Sequence, residues 1–152
     1  MELVLRDREN RVGYSFNAMK TTLLVDTDSL AIMDAHFTTK KAYDGHIGLL
    51  VFRCSAERPA LLTDKMYSWS DLREACRDAS TRPVIKHCEQ NALKKAHNAK
   101  IDDDVYNQRS MSETVFAMLK DDGDEIRSRS WHGQFRELTR KFIVHNLEQA
   151  AS

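Results

Sequence analysis

Apolar residues in this chain come in short runs separated by polar, charged or turn-forming clusters. Leu23-Leu24-Val25 closes a segment over about 14–25 that predicts a strand, and Asp26-Thr27-Asp28-Ser29 follows as a turn cluster. Residues 30–38 return as a second strand, so the pair predicts an antiparallel hairpin. Upstream, Met1 to Leu5 suits a short strand, but Arg6-Asp7-Arg8-Glu9-Asn10-Arg11 reads as a solvated loop. Residues 40–45 read as a loop. Ile47, Leu50, Val51 and Cys54 then recur at helical spacing, on one apolar face. Ala60-Leu61-Leu62-Thr63 is a short apolar run that stops at Asp64. That is the pattern of a buried strand with an acid at its carboxyl end, where open α/β sheets place their ligands. Ser70 reads as the cap of a helix over 71–79, with Leu72, Ala75, Cys76 and Ala79 on its apolar face. Residues 81–86 predict another strand, with Pro83 tolerable at a sheet edge. Residues 89–103 are polar and weakly patterned, and read as a loop.

Two helices close the chain. Over Tyr106 to Lys120, Met111, Val115, Met118 and Leu119 form an apolar stripe that docks on a core. Arg109, Glu113, Phe116 and Lys120 recur at four, three and four residues and fall on another face. That face holds one carboxylate between two cations. A carboxylate can hold a divalent metal, and cations beside it can hold phosphate. Ser110 with Glu113 also fits a capping box, and Glu113 with Lys120 an ordinary solvated face. Gly123 marks an end, and Trp131 to Glu148 predicts the last helix, burying Trp131, Phe135, Leu138 and Phe142. Strands alternating with helices predict an α/β fold in one domain over 1–152.

Composition adds limits. Lysine and arginine number 23, as do aspartate and glutamate, so the net charge is zero. A nucleic-acid surface must therefore be a local patch. Lys86-His87, Lys94-Lys95, and Arg127 with Arg129 are candidates for phosphate contact. Cys54, Cys76 and Cys88 are odd in number and unpaired in spacing, which fits free thiols in a reducing cytosol. His87, Cys88 and His97 lack the recurring close-spaced pairs of a zinc site. No apolar run approaches the length of a membrane span, and Met1 to Arg6 lacks the apolar core of a signal peptide. The expected place is the cytoplasm.

Tyr106, Arg109, Glu113 and Lys120 stand at the tyrosine, arginine, glutamate and lysine of a signature in DDE-type insertion-sequence transposases. The stretch from about Met19 to Asn146 resembles the carboxyl-terminal catalytic part of that family. Further matching pieces are residues 20–27, Asp64-Lys65, Arg82 to His87, Gln108-Arg109-Ser110, and Gln134 to Leu138. The resemblance implies an RNase H-like fold, a mixed central sheet flanked by helices. It implies two aspartates and a glutamate that bind magnesium, or manganese, and direct DNA strand cleavage and joining. Asp64 and Glu113 match the second aspartate and the glutamate, and would be catalytic metal ligands. Arg109, Lys120, Lys86, Arg127, Arg129 and Tyr106 would contact the DNA of the insertion-sequence ends. Tyr106 would stack or hydrogen-bond near the scissile strand. Two magnesium ions about 3.5–4 Å apart stabilise the attacking and leaving oxygens in such chemistry.

The first aspartate of the family sits inside its first strand and is not identifiable here. Asp26 matches a second-strand aspartate, and turn chemistry explains it. Glu2 and Asp7, farther upstream, are weaker candidates. After Asp64-Lys65 the family carries Gly-Tyr-Asp, where this chain has Met66-Tyr67-Ser68. Asp121-Asp122 follows Lys120, where the family is basic, and would repel a DNA backbone. These departures imply a first strand that is missing or incomplete and a truncated, inactive copy. The alternative is a non-catalytic module that binds DNA or pairs with an intact transposase, itself a possible oligomer.

Overall fold

Successive side chains of a strand point to opposite faces. Leu23, Leu24 and Val25 are all fully buried, so their strand is covered on both sides. The computed structural model describes residues 2–10, 19–38, 44–54, 58–121 and 126–151, the first group as backbone. The strands are β1 (Glu2–Asn10), β2 (Met19–Asp26), β3 (Ile32–Thr38), β4 (Ala60–Thr63) and β5 (Arg82–Ile85). They form one mixed sheet in the order β3-β2-β1-β4-β5. The β1–β2 and β2–β3 pairs are antiparallel, and β1–β4 and β4–β5 are parallel. The predicted hairpin is β2–β3.

Helices cover both faces. On one face Leu24, Leu61 and Ile85 pack with Ile47, Val51 and Phe52 of α1 (Asp44–Cys54) and with Leu72 and Cys76 of α2 (Ser70–Asp78). On the other, Leu23, Val25 and Ile32 meet the last two helices. The short helices α3 (Ala92–Asn98) and α4 (Asp103–Asn107) come before them in the chain. Those last helices are α5 (Met111–Asp121), contributing Val115, Phe116 and Leu119, and α6 (Trp131–Ala151), contributing Leu138 and Phe142. The mixed α/β architecture holds. None of the helices described is long and apolar enough to cross a membrane.

Several expectations are corrected. The centre of the sheet, read as missing its first strand, is occupied by β1, which runs straight through the charged residues 6–10. Antiparallel pairing with β2 along residues 6–10 outweighs the solvated-loop signal there. Within α1, Leu50 is 53% exposed and Leu49 takes the core side. Ser70 does not cap α2: Trp69 holds that position without a side-chain capping bond, and the Ser70 hydroxyl donates to Asp71 instead. The polar stretch 89–103 contains α3, capped by the Asn91 side chain on the Lys94 N–H at 2.9 Å. It docks through a buried polar residue: Asn98 accepts from the His87 N–H at 2.8 Å and donates to the His87 carbonyl at 2.9 Å. No apolar stripe exists for periodicity to find. On α6, Trp131 is 44% exposed, and Gln134 and His145 replace it on the buried side. Its ring stacks on Phe135, which meets Phe37 edge-on.

Both sheet edges are blunted. Pro83 lies on β5, an edge strand, where a missing N–H is tolerated. On β3, Asn146 accepts from the Ile32 N–H and donates to the Ile32 carbonyl, both at 2.8 Å. The Asp34 carboxylate takes the next outward N–H, that of Ala35, at 2.7 Å. Side chains thus occupy groups that an added strand would use. Beside this clamp, buried His145 bonds the carbonyl of Leu30, whose φ of 56° is left-handed. We expect Asn146→Ala to lower stability by about 1–3 kcal/mol, because it strands a carbonyl and an N–H. Urea unfolding should show a lower midpoint at unchanged slope, with concentration-dependent association in sedimentation.

Candidate active site

The parallel pairing of β4 with β5 sets Thr63 opposite Ile85. The chain therefore leaves the two strands side by side, at Asp64 and at Lys86-His87. Asp64 is exposed and opens a 3-10 turn, Lys65–Tyr67, accepting from the Lys65 N–H at 2.6 Å. The other Asp64 oxygen accepts no hydrogen bond from the described residues.

Tyr106 lies against this edge, packed on Ala60, Leu62 and Val84. Expected to stack at DNA, it is only 6% exposed, because its ring is spent on the core and on two cations. Lys86 Nζ stands 4.5 Å from the ring centroid and the Arg109 guanidinium 5.0 Å. Burial raises the Tyr106 hydroxyl, Arg109 and Lys86 oppose that, and Asp64 adds to it. Lys86 and Arg109 thus flank one phenol, at the sheet edge where Asp64 leaves β4. The buried Arg109 Nε has no acceptor among the described residues. Lys86 pairs with Asp103 at 2.5 Å, so that lysine is partly neutralised.

Glu113 lies one helical turn beyond Arg109. It is exposed, in the first turn of α5. Ser110 is not its capping partner. The chain from α4 runs through a 3-10 turn, Gln108–Ser110, directly into α5, and the cap of the whole run is Asp102. Its carboxylate accepts from the Asp104 and Val105 N–H groups. The 3-10 turn contacts β1 and β4, and α5 contacts β1 and β2. Phe116, read on the Glu113 face, is 9% exposed and packs in the core instead.

The remaining cations lie elsewhere. Lys120 is exposed in the last turn of α5. Arg127 and Arg129 are exposed ahead of α6, which packs on β3, three places from β4 in the sheet. Glu137 holds that segment, accepting from the Arg127 and Ser128 N–H groups at 3.0 and 3.1 Å. Asp26 ends β2 at the opposite end of the sheet, level with Leu3 and so with Leu61, and takes the Ser29 hydroxyl at 2.5 Å. It is a buried turn acid, as turn chemistry predicts. Asp7 is placed by backbone register alone: it pairs with Thr22, two residues beyond Leu5, which is level with Thr63.

A group missed by spacing is Ser68 with His87. Ser68 Oγ and His87 Nδ1 are 2.9 Å apart, and Arg73 donates to the same hydroxyl at 3.3 Å. The signal was the Lys86-His87 pair after a strand, but nothing in sequence ties it to residue 68. Buried Cys76 has its thiol pushed up to about 12, chiefly by burial, so it is inert.

Asp64 and Glu113 offer hard oxygen donors, which suit magnesium or manganese. Among the described residues no three His, Cys, Asp or Glu side chains cluster closely enough to hold a metal ion. The donor chemistry of these two acids suits a divalent cation.

A family model described as a transposase DDE domain matches residues 6–147. The chain belongs to the DDE transposase domain family. Its match begins inside β1 and ends on α6, so it takes in both the strand end at Asp64 and the helix at Glu113. No curated protein matches the chain. Among solved structures it is similar to a chain in the cryo-EM structure of a simian T-cell lymphotropic virus intasome in complex with PP2A regulatory subunit B56 gamma. Identity is 16% and the TM-score 0.44, over 73% of this chain and 46% of that one. The transposase-family chain thus spans less than half of the viral one's length.

Glu137 yields a prediction on pH. Burial would raise its carboxyl, but the Arg127 and Ser128 N–H bonds outweigh that and hold it below the ordinary 4.5. A carboxyl lowered on folding stabilises above its unfolded value and loses that effect as pH falls through the folded one. From about pH 4.5 downward, stability should therefore fall more steeply in the native chain than in Glu137→Gln. Thermal melts across that range measure it.

Proposed function

We propose that this chain is the catalytic domain of a DDE-type transposase of RNase H-like fold. It binds the DNA ends of its element and one divalent cation, but does not complete strand transfer by itself. The observation that carries this is Lys86 and Arg109 set over Tyr106 beside the strand exit at Asp64, at the carboxyl ends of β4 and β5. A sheet of order β3-β2-β1-β4-β5 with mixed pairing supports the RNase H-like assignment.

Asp64 and Glu113 would hold magnesium or manganese, which stabilises charge on the attacking and leaving oxygens of phosphoryl transfer. Arg109 and Lys86 grip phosphate. Tyr106 acts beneath them as a fixed platform, limiting the side-chain freedom each cation must give up. Lys120, Arg127 and Arg129 extend the contact to flanking DNA. With net charge zero, binding depends on these patches and weakens as salt rises. A copy that holds ends without joining them competes with an intact transposase or pairs with it.

The third acid decides activity. The sheet position of Asp7 makes it the candidate on β1, since it lies past the level of Thr63. Two carboxylates hold one magnesium weakly, because the ion keeps most of its waters. We expect magnesium titration to reveal one weak site, abolished by Asp64→Asn, weakened by Glu113→Gln and unchanged by Asp7→Asn. Labelled end DNA with magnesium or manganese should remain uncut. Metal-dependent nicking that vanishes in both Asp64→Asn and Asp7→Asn would show a complete, active site. Titrations indifferent to Asp64 and Glu113 would remove the metal reading altogether.

A further inference from the structure

His87 is held more firmly than a surface histidine needs to be. Both polar groups of its backbone are bonded to the buried Asn98 side chain. The Nδ1 atom is bonded to Ser68, and its ring meets that of His97 edge-on at 4.7 Å between centroids. The residue remains half-buried, at the edge where Asp64 also leaves the sheet. A ring clamped at one nitrogen presents the other in a fixed direction.

The clamp also selects a tautomer. Arg73 can only donate, and its Nη2 bonds the Ile85 carbonyl at 2.8 Å and Ser68 Oγ at 3.3 Å. The serine hydroxyl therefore accepts from Arg73 and must place its own proton elsewhere. The acceptor within reach among the described residues is His87 Nδ1. The proton of a neutral ring then sits on Nε2, which has no partner among the described residues. Burial first, then Arg73, His97 and Lys94, disfavour the imidazolium. The acid in this loop, Glu89, is turned to the Asn98 amide at 3.3 Å. His87 is thus a neutral donor in cationic surroundings, a combination that suits an anion without adding another full charge.

We propose that His87 Nε2–H donates to a non-bridging phosphate oxygen of a DNA strand crossing the carboxyl ends of β4 and β5. Ser68 and Arg73 are positioning residues in this site. The choice of DNA as the phosphate source rests on the function proposed above; the oriented donor rests on geometry alone. Arg109 and Lys86 grip phosphate through charge, whereas His87 fixes where along the edge the backbone sits.

The test uses full-length protein with nitrogen-15-labelled histidine at pH 7.5, titrated with a short DNA duplex and separately with inorganic phosphate. Long-range proton–nitrogen spectra should show the Nε2–H tautomer, and the duplex should shift the His87 ring signals. Duplex affinity by fluorescence anisotropy should fall about tenfold in His87→Ala, the size of one charge-assisted hydrogen bond. His87→Gln, whose amide nitrogen reaches the Nε2 position, should restore most of it. Ser68→Ala should weaken binding and mix the tautomers. Ser68→Asp should raise the ring's pKa, visible in its titration curve. An Nδ1–H tautomer, a ring indifferent to the duplex, or His87→Ala binding like the native chain would each overturn the proposal. A ring that answers phosphate but not DNA would overturn it too. None of these readouts involves metal, so a failed magnesium titration on Asp64 leaves them standing.

Discussion

In-register parallel pairing of β4 with β5 is the constraint from which the site follows. Parallel strands send their chains out at the same end of the sheet. With Thr63 opposite Ile85, the residues that follow have no choice but to emerge together. One exit carries an acid, Asp64, and the other a cation and an imidazole, Lys86 and His87. The apolar runs before them are short and buried, so they hold that pairing without contributing chemistry. Everything reactive in this region is displaced to the first residues after a strand. There the backbone stops hydrogen-bonding to neighbours and side chains are free to serve a ligand.

Polar side chains carry an unusual share of the tertiary structure. Asn98 docks α3, Asn146 clamps β3, Asn91 and Asp102 begin helices, and Glu137 gathers the segment ahead of α6. This explains where the sequence was legible and where it was not. Strands β4 and β5, the β2–β3 hairpin and the acid at 64 announce themselves through short apolar runs and turn residues. Helix α3 does not, since an amide rather than an apolar stripe docks it, and Leu93 is left in solvent. The strand through 6–10 was illegible for a related reason. Its place is set by pairing with β2, which a local charge pattern cannot reveal.

The site was legible in part. Asp64, Lys86 and Arg109 were each singled out by residue type and position. That the two cations stand over one buried phenol beside Asp64 needed the packing of Tyr106 against β4 and β5. The exchange of a carboxylate for Ser68 looked like a defect in a motif. In the folded chain it is half of a bond to His87, and its neutrality matters: an acid there would draw a second proton onto the ring.

The three-residue 3-10 turn between α4 and α5 acts as a phase shifter. An α-helix advances about 100° per residue and a 3-10 helix about 120°. Three residues of the tighter winding therefore rotate everything beyond them by about 60° relative to an unbroken helix. Arg109 lies within that turn and Glu113 beyond it, so a helical wheel drawn at uniform pitch across Tyr106–Lys120 misplaces Glu113 relative to Tyr106 and Arg109. The aim of Glu113 relative to Tyr106 is thus set by the winding of Gln108–Ser110. Relaxing that short segment to ordinary α geometry would swing the carboxylate around the axis without changing a single residue.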